Sequence, residues 1–148
     1  MFKKILVPTD GSLLSEAAGK AAIDFARACG ASVVVYAVAE AYPYPLGMEG
    51  GVVPDLSGYE DAVRETAQKH VKKIADAAAA AGVTHDSLVV TGYEPGMEII
   101  EAAKSQACDL IWMASHGRTG LQRVFMGSQT QKVLAHAGIP VLVYPAQK

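Results

Sequence analysis

The fold is decided by the stretch KILVPTDGS at residues 4–12. Residues 5–7 are three consecutive apolar residues, and Pro8 ends the run just before a turn of small polar residues. A short apolar run without polar alternation, bounded by turn residues, is typical of a strand buried on both faces. Beyond it, apolar residues recur at spacings of three and four from Ala18 to Cys29, and Gly30 follows. The stretch therefore predicts a buried strand that leads through a turn into a helix ended by glycine.

The same unit repeats along the chain. Four more short apolar runs predict strands at residues 32–39, 87–91, 110–113 and 141–143. Three further helices are predicted at residues 59–81, 95–103 and 128–137, with Ser128 as the N-cap of the last. Strands that alternate with helices form parallel sheets, and right-handed crossovers restrict how the helices cover them. We therefore predict an α/β fold in one domain, residues 1–148, with a doubly wound five-stranded parallel sheet and helices on both faces.

Residues 40–58 interrupt this alternation. Seven of these residues are Pro or Gly, and two tyrosines and a methionine lie among them. A loop of this length is usually functional or mobile, so residues 40–58 are a candidate lid over a binding site.

Composition narrows the class of protein. Of the 148 residues, 51% are hydrophobic and 19% are charged, which excludes an extended disordered chain. The two cysteines, Cys29 and Cys108, lie far apart and read as small buried apolar residues in a reducing compartment. The chain shows no apolar stretch long enough for a transmembrane helix and no signal peptide. We expect a cytoplasmic protein that binds neither membrane nor nucleic acid.

The formal net charge of −2 hides an uneven distribution. Asp109 is the last acidic residue, and the chain up to and including it carries nine basic and fifteen acidic side chains, a net −6. The segment after Asp109 carries four basic side chains and no acid, a net +4. This basic C-terminal quarter favours local anion binding, although four charges are a modest excess.

Ligands of open α/β sheets bind beyond the carboxyl ends of the strands, where the winding reverses. At the end of the first strand, Asp10 could accept hydrogen bonds from ribose hydroxyls, or it could form an Asx turn or cap near Ser12. At the end of the second strand, Val38 could pack against an adenine edge, or it could belong to the core.

The stretch ASHGRTG at residues 114–120 follows the fourth strand and is completed by Gly127 and Ser128. Glycines allow backbone N–H groups to approach an anion, and the start of a helix adds a positive dipole end. Such a combination suits a phosphate chain, but the glycines could equally make turns only. The stretch is neither a Walker A loop nor a GxGxxG fingerprint. His116 is a candidate base, although a loop hydrogen bond explains it better because no Ser or Cys partner is evident.

These motifs together resemble the universal stress protein family over the whole chain. The resemblance rests on residues 4–12, on residues 109–121, on Gly127-Ser128 and on residues 139–143. It implies the strand order 3-2-1-4-5 and a homodimer, often formed by antiparallel pairing of the last strands, here Val141, Leu142 and Val143. An apolar edge strand would otherwise be exposed to unwanted pairing.

The resemblance also implies a site for ATP or AMP, with or without Mg²⁺. The residues that would frame adenine and ribose follow the first two strands: Pro8, Thr9, Asp10 and Val38. Those that would line the ribose and phosphate side follow the fourth strand: Met113, Ser115, His116, Gly117 and Arg118. The phosphates would be held at the start of the last helix by Gly127, Ser128 and Gln129.

One position departs from the family motif, which reads Gly-x-x-Gly, nine residues, then Gly-Ser or Gly-Thr. Gly117 is the second glycine and Gly127-Ser128 close the motif, but Ala114 replaces the first glycine. Alanine adds a methyl group and disfavours positive φ. The expected function is a nucleotide-binding stress-response regulator. The alternatives are a dimeric interaction protein with a vestigial site and, at most, slow ATP hydrolysis without an evident base.

Overall fold

The computed structural model describes residues 1–41, 57–117 and 126–146. Five strands and four helices alternate in these ranges: β1 Lys4–Pro8, α1 Leu13–Cys29, β2 Ser32–Glu40, α2 Ser57–Ala80, β3 His85–Gly92, α3 Pro95–Ser105, β4 Leu110–Ala114, α4 Ser128–His136 and β5 Val141–Tyr144. Every predicted element is present, and its bounds differ from the prediction by a few residues at most ends.

The five strands form one parallel sheet in the order β3-β2-β1-β4-β5. The winding reverses beside β1, because β2 pairs with one of its edges and β4 with the other. The predicted fold class and the strand order implied by the resemblance are both confirmed. The carboxyl ends of β1 and β4 therefore lie side by side at the switch point of the sheet.

Alternate residues of the central strands face two separate cores. Ile5 and Val7 of β1 pack with the buried faces of α1 and α2, whereas Leu6 packs with α3 and α4. The middle of β2 is buried throughout, which is why its sequence shows no polar alternation. Helices thus cover both faces of the sheet.

The helix ends follow local chemistry. Gly30 ends α1 with φ 70°, and Gly82 follows α2 with φ 70°, conformations that glycine adopts without a steric cost. Ser12 caps α1 by accepting a hydrogen bond from the N–H of Ser15 at 3.2 Å. The predicted N-cap of α4 is wrong by one residue: the cap is Gly127, and Ser128 is the first residue of the helix.

Candidate functional site

The turn after β1 is tied down by Thr9, which is 6% exposed. Its N–H donates to the carbonyl oxygen of Tyr36 on β2 at 2.8 Å, and its hydroxyl lies 3.0 Å from that of Ser15 on α1. The same hydroxyl accepts a hydrogen bond from the N–H of Gly11 at 3.2 Å. Pro8 before it is buried. Thr9 therefore shapes the turn, and its hydroxyl is already engaged within the protein.

Asp10 is half-buried at the tip of this turn. Its Oδ1 accepts a hydrogen bond from the N–H of Ser12 at 3.0 Å, so the Asx turn considered from the sequence is present. Its Oδ2 lies where a Cβ on Gly117 would be, so that any side chain at residue 117 would overlap the carboxylate. The first candidate stretch and the glycine of the second are thus in direct proximity, although they lie near opposite ends of the sequence.

The stretch after β4 folds back on the start of α4. The N–H of Gly127 donates to the carbonyl oxygen of Ser115 at 2.8 Å. A Cβ on Gly127 would lie 3.2 Å from the Cα of His116, which is tighter than most real contacts. The hydroxyl of Thr130 donates to the carbonyl oxygen of Ala114 at 3.0 Å. These contacts fix the first turn of α4 against the end of β4.

His116 has the serine partner that the sequence did not make evident. Its Nδ1 lies 2.9 Å from the hydroxyl of Ser115, the residue just before it, and both side chains are half-buried. The expectation of a loop hydrogen bond rather than a free base is consistent with this contact.

The start of α4 has the features of an anion site. Its first turn carries no acidic residue, and Gly127 offers no side chain to cap it. As at any helix start, the first backbone N–H groups have no acceptor within the helix, and the dipole adds positive charge there. Ser128 is exposed at this end. A phosphate group would be stabilised by this arrangement.

Three of the expected site residues also make contacts within the protein. The side-chain oxygen of Gln129 accepts a hydrogen bond from the N–H of Gly96 at 2.7 Å. Val38 is half-buried and packs on the α3 and α4 core, as does Met113, which is 6% exposed. Arg118 and most of the candidate lid, residues 42–56, lie outside the described residues.

Sequence reasoning missed His70. From the sequence, this residue lies in an unrelated segment, but α2 brings its imidazole onto Gly11, so that a Cβ at residue 11 would fall on the ring. Gly11 has φ 78°, a conformation that other residues rarely adopt. The one signal in the sequence was Gly11, beside Asp10. A glycine at a turn allows another group to pack closely on the backbone, but the sequence does not identify that group.

In the folded protein, the basic C-terminal quarter lies beside acidic residues from other parts of the chain. Lys132, in the basic C-terminal quarter, forms an ion pair with Glu94 at 3.1 Å. Asp10 stands beside Gly117, within the stretch that has no acid of its own. The acid-free character of the segment after Asp109 is thus partly cancelled in space.

Other features of the described ranges lie away from this site. A groove of about 380 Å³ runs between α2 and the edge strand β3, and it contains none of the expected site residues. Within the same ranges there is no cluster of three or more His, Cys, Asp or Glu side chains that could hold a metal ion. No helix that the structure describes is long and apolar enough to cross a membrane.

The sheet order, with β1 between β2 and β4, defines the class: a doubly wound α/β domain whose candidate site lies at the switch point. A model of the universal stress protein family matches residues 1–145. The chain belongs to the universal stress protein family.

Individual relatives agree with this assignment. The chain is 35% identical to the universal stress protein MJ0531 of Methanocaldococcus jannaschii, over 100% of this chain and 85% of the relative. The solved structure of MJ0577, from the same organism, has a TM-score of 0.80 at 27% identity and covers 100% of this chain and 99% of that one.

Two further solved family members contain nucleotides. An Arabidopsis thaliana protein with AMP bound has a TM-score of 0.67 at 16% identity, covering 98% of this chain and 92% of that one. A universal stress protein in complex with cAMP has a TM-score of 0.65 at 22% identity, covering 96% and 95%. At these identities the likeness concerns the fold.

Proposed function

We propose that this protein binds an adenine nucleotide, ATP or AMP, at the switch point of its sheet and acts as a stress-response regulator. The observation that carries the proposal is the convergence of three separate segments. The Asp10 turn, the Ser115–Gly117 stretch and the Gly127 start of α4 contact one another at one edge of the sheet. Solved family members with AMP and cAMP bound support the choice of ligand class.

Each segment would contact a different part of the nucleotide. The Asp10 carboxylate would accept hydrogen bonds from ribose hydroxyls. The N–H groups at the start of α4, with the Ser128 hydroxyl, would hold the phosphates, because these N–H groups have no acceptor within the helix and lie at its positive dipole end. Mg²⁺ would accompany ATP through its phosphates. Arg118 would add positive charge on the phosphate side.

Ala114, which replaces the first glycine of the family motif, is compatible with this proposal. It ends β4 in a strand conformation and is not among the positive-φ residues of the described ranges. Its side chain is 8% exposed and belongs to the core beneath α1 and α2. The extra methyl group therefore packs into the protein, and the backbone needs no glycine there.

We further propose that the chain is a homodimer through β5. This strand lies at the edge of the sheet and is half-buried along its length. The carbonyl oxygens of Pro140 and Tyr144 accept hydrogen bonds from the N–H groups of Ile111 and Ser115, on the β4 side. Because backbone groups alternate between the two sides of a strand, those of Val141 and Val143 point to the open edge. A second β5 could pair there, and a dimer without nucleotide remains the second candidate function.

The test is a thermal-shift titration of the purified protein with ATP, AMP and GTP, with and without Mg²⁺. Ligand at 100 times its dissociation constant adds about 2.7 kcal/mol of stability, so a clear rise in melting temperature is expected. Gly127→Val should abolish the rise, because its side chain would meet the backbone of His116 and occupy the phosphate space. Ala79→Val, at an exposed position near the far end of α2, is the matched control. Absence of any shift at millimolar ATP would refute nucleotide binding. The second candidate, a dimeric interaction protein that binds no nucleotide, would then be favoured.

A further inference from the structure

The turn that carries Asp10 is held from outside by α2. Gly11 follows Asp10 directly and has φ 78°. All three ring atoms nearest to the missing side chain, Cε1, Nε2 and Nδ1, belong to His70 of α2. The imidazole thus covers the face of the turn that any other residue at position 11 would fill with its own Cβ.

Two neighbours of His70 on the same face of α2 contact α1. Lys73, three residues on, forms an ion pair with Glu16 of α1 at 2.7 Å. Ile74, four residues on, packs so closely on Gly19 of α1 that a Cβ there would lie 2.8 Å from its Cδ1. Residues three and four apart share one helix face. This face of α2 therefore packs against the first half of α1. His70 lies half-buried on this face, over Gly11.

On its other side, the Asp10 carboxylate lies against Gly117, three residues after the end of β4. The turn is consequently packed between the α2 ring and the β4 backbone, with Oδ1 of Asp10 committed to the N–H of Ser12. Removing the ring would leave space over Gly11, a residue with wide conformational freedom. The turn could then populate other conformations, in which the carboxylate points elsewhere.

We propose that His70 is a positioning residue that sets the direction of the Asp10 carboxylate and thereby the recognition of ribose hydroxyls. The inference rests on the proposed nucleotide function and adds to it a residue from an element that carries no part of the glycine motif. The imidazole acts through the volume that it fills over Gly11. His70 itself need not touch the nucleotide.

The experiment compares the dissociation constants of ATP and 2′,3′-dideoxy-ATP by isothermal titration. The two ligands share base and phosphates but differ in the hydroxyls that Asp10 would bind. For the unaltered protein we expect a preference for ATP of about 30-fold, the value of one hydrogen bond to a charged group. His70→Ala should weaken ATP about fivefold, part of that preference, and leave the dideoxy ligand unchanged. His70→Phe keeps a flat ring over Gly11 and should retain the preference.

His85→Ala is the matched control, because His85 begins β3 at the opposite end of the sheet and contacts the carbonyl oxygen of Val83 at 3.0 Å. It should change neither constant. If His70→Ala fails to fold, His70→Gln, which also lacks the ring, replaces it. The inference is overturned if both ligands weaken equally or not at all, or if His70→Phe loses the preference. If the unaltered protein binds neither ligand, the proposed function itself fails, a result distinct from the others.

Discussion

Gly117→Ala is a single-methyl change that tests whether Asp10 and the β4 stretch form one site. A Cβ on Gly117 would overlap Oδ2 of Asp10, so the carboxylate must move for alanine to fit. The backbone of Gly117 has no positive φ, so the substitution adds no strain of its own. Its whole effect should therefore pass through Asp10.

The size of the effect follows from the contact that would be lost. A hydrogen bond to a charged group contributes about 1.5–3 kcal/mol, and a loss of about 2 kcal/mol corresponds to a roughly 30-fold weaker dissociation constant. At an ATP concentration 100 times the original constant, ligand stabilisation would fall from about 2.7 to about 0.9 kcal/mol. For a chain of this size, 1 kcal/mol shifts the melting temperature by about 2–4 °C, so the ATP-induced shift should fall to about a third.

The assay is a thermal-shift titration of Gly117→Ala, Asp10→Ala and the double variant, with isothermal titration for the constants. Each single variant should weaken ATP, and the double variant should be no weaker than Asp10→Ala alone, because the two changes remove the same contact. Ala79→Val, at an exposed position near the far end of α2, is the control and should bind as the unaltered protein does. Additive losses in the double variant, or full affinity in Gly117→Ala, would refute the link between Asp10 and the site.

Three further outcomes are expected elsewhere in the molecule. Burial tends to raise the pKa of Asp109, but hydrogen bonds from the N–H groups of Lys4 and Lys3 lower it overall. Asp109→Asn should therefore lower the urea midpoint at pH 7 and have progressively less effect as the pH falls below about 4; an equal loss at pH 3 would contradict this. Burial raises the pKa of the Cys108 thiol to about 11, despite Lys4. Iodoacetamide at pH 7.5 should modify Cys29 and spare Cys108, and mass spectrometry of the folded protein would expose the opposite result. Val143→Pro removes a donor from the open edge of β5 and should convert the proposed dimer to a folded monomer by gel filtration; an unchanged elution volume would place any dimer interface elsewhere.

The sheet was predictable because the burial of a strand is reflected in the pattern of apolar residues within that strand. Residues 5–7 and 110–113 are apolar without alternation, a pattern typical of strands covered on both faces. Gly30 and Gly82 mark helix ends for an equally local reason, since positive φ favours glycine. The predicted N-cap of α4 was wrong by one residue. A serine at a helix start is compatible with either position, the N-cap or the first helical residue, and the sequence does not distinguish them.

The site was predictable only as separate segments. Sequence placed Asp10, Gly117 and Gly127 at strand and helix ends, which a parallel sheet gathers at one edge. It could not show that Gly117 is small because Asp10 lies against it. It also could not show that the side chain of Gln129 accepts a hydrogen bond from Gly96 of α3.

The sequence alone was enough to predict the helices and strands and to recognise the family motif. It also showed the unequal net charge of the chain before and after Asp109. The tertiary structure decided what those charges and motifs face. Lys132 is paired with Glu94, Ala114 turns its methyl group into the core, and His70 lies on the turn beside Asp10. The physical reason is that helix and strand signals arise within a few neighbouring positions, whereas these contacts join distant parts of the sequence or depend on which face of the sheet a side chain meets.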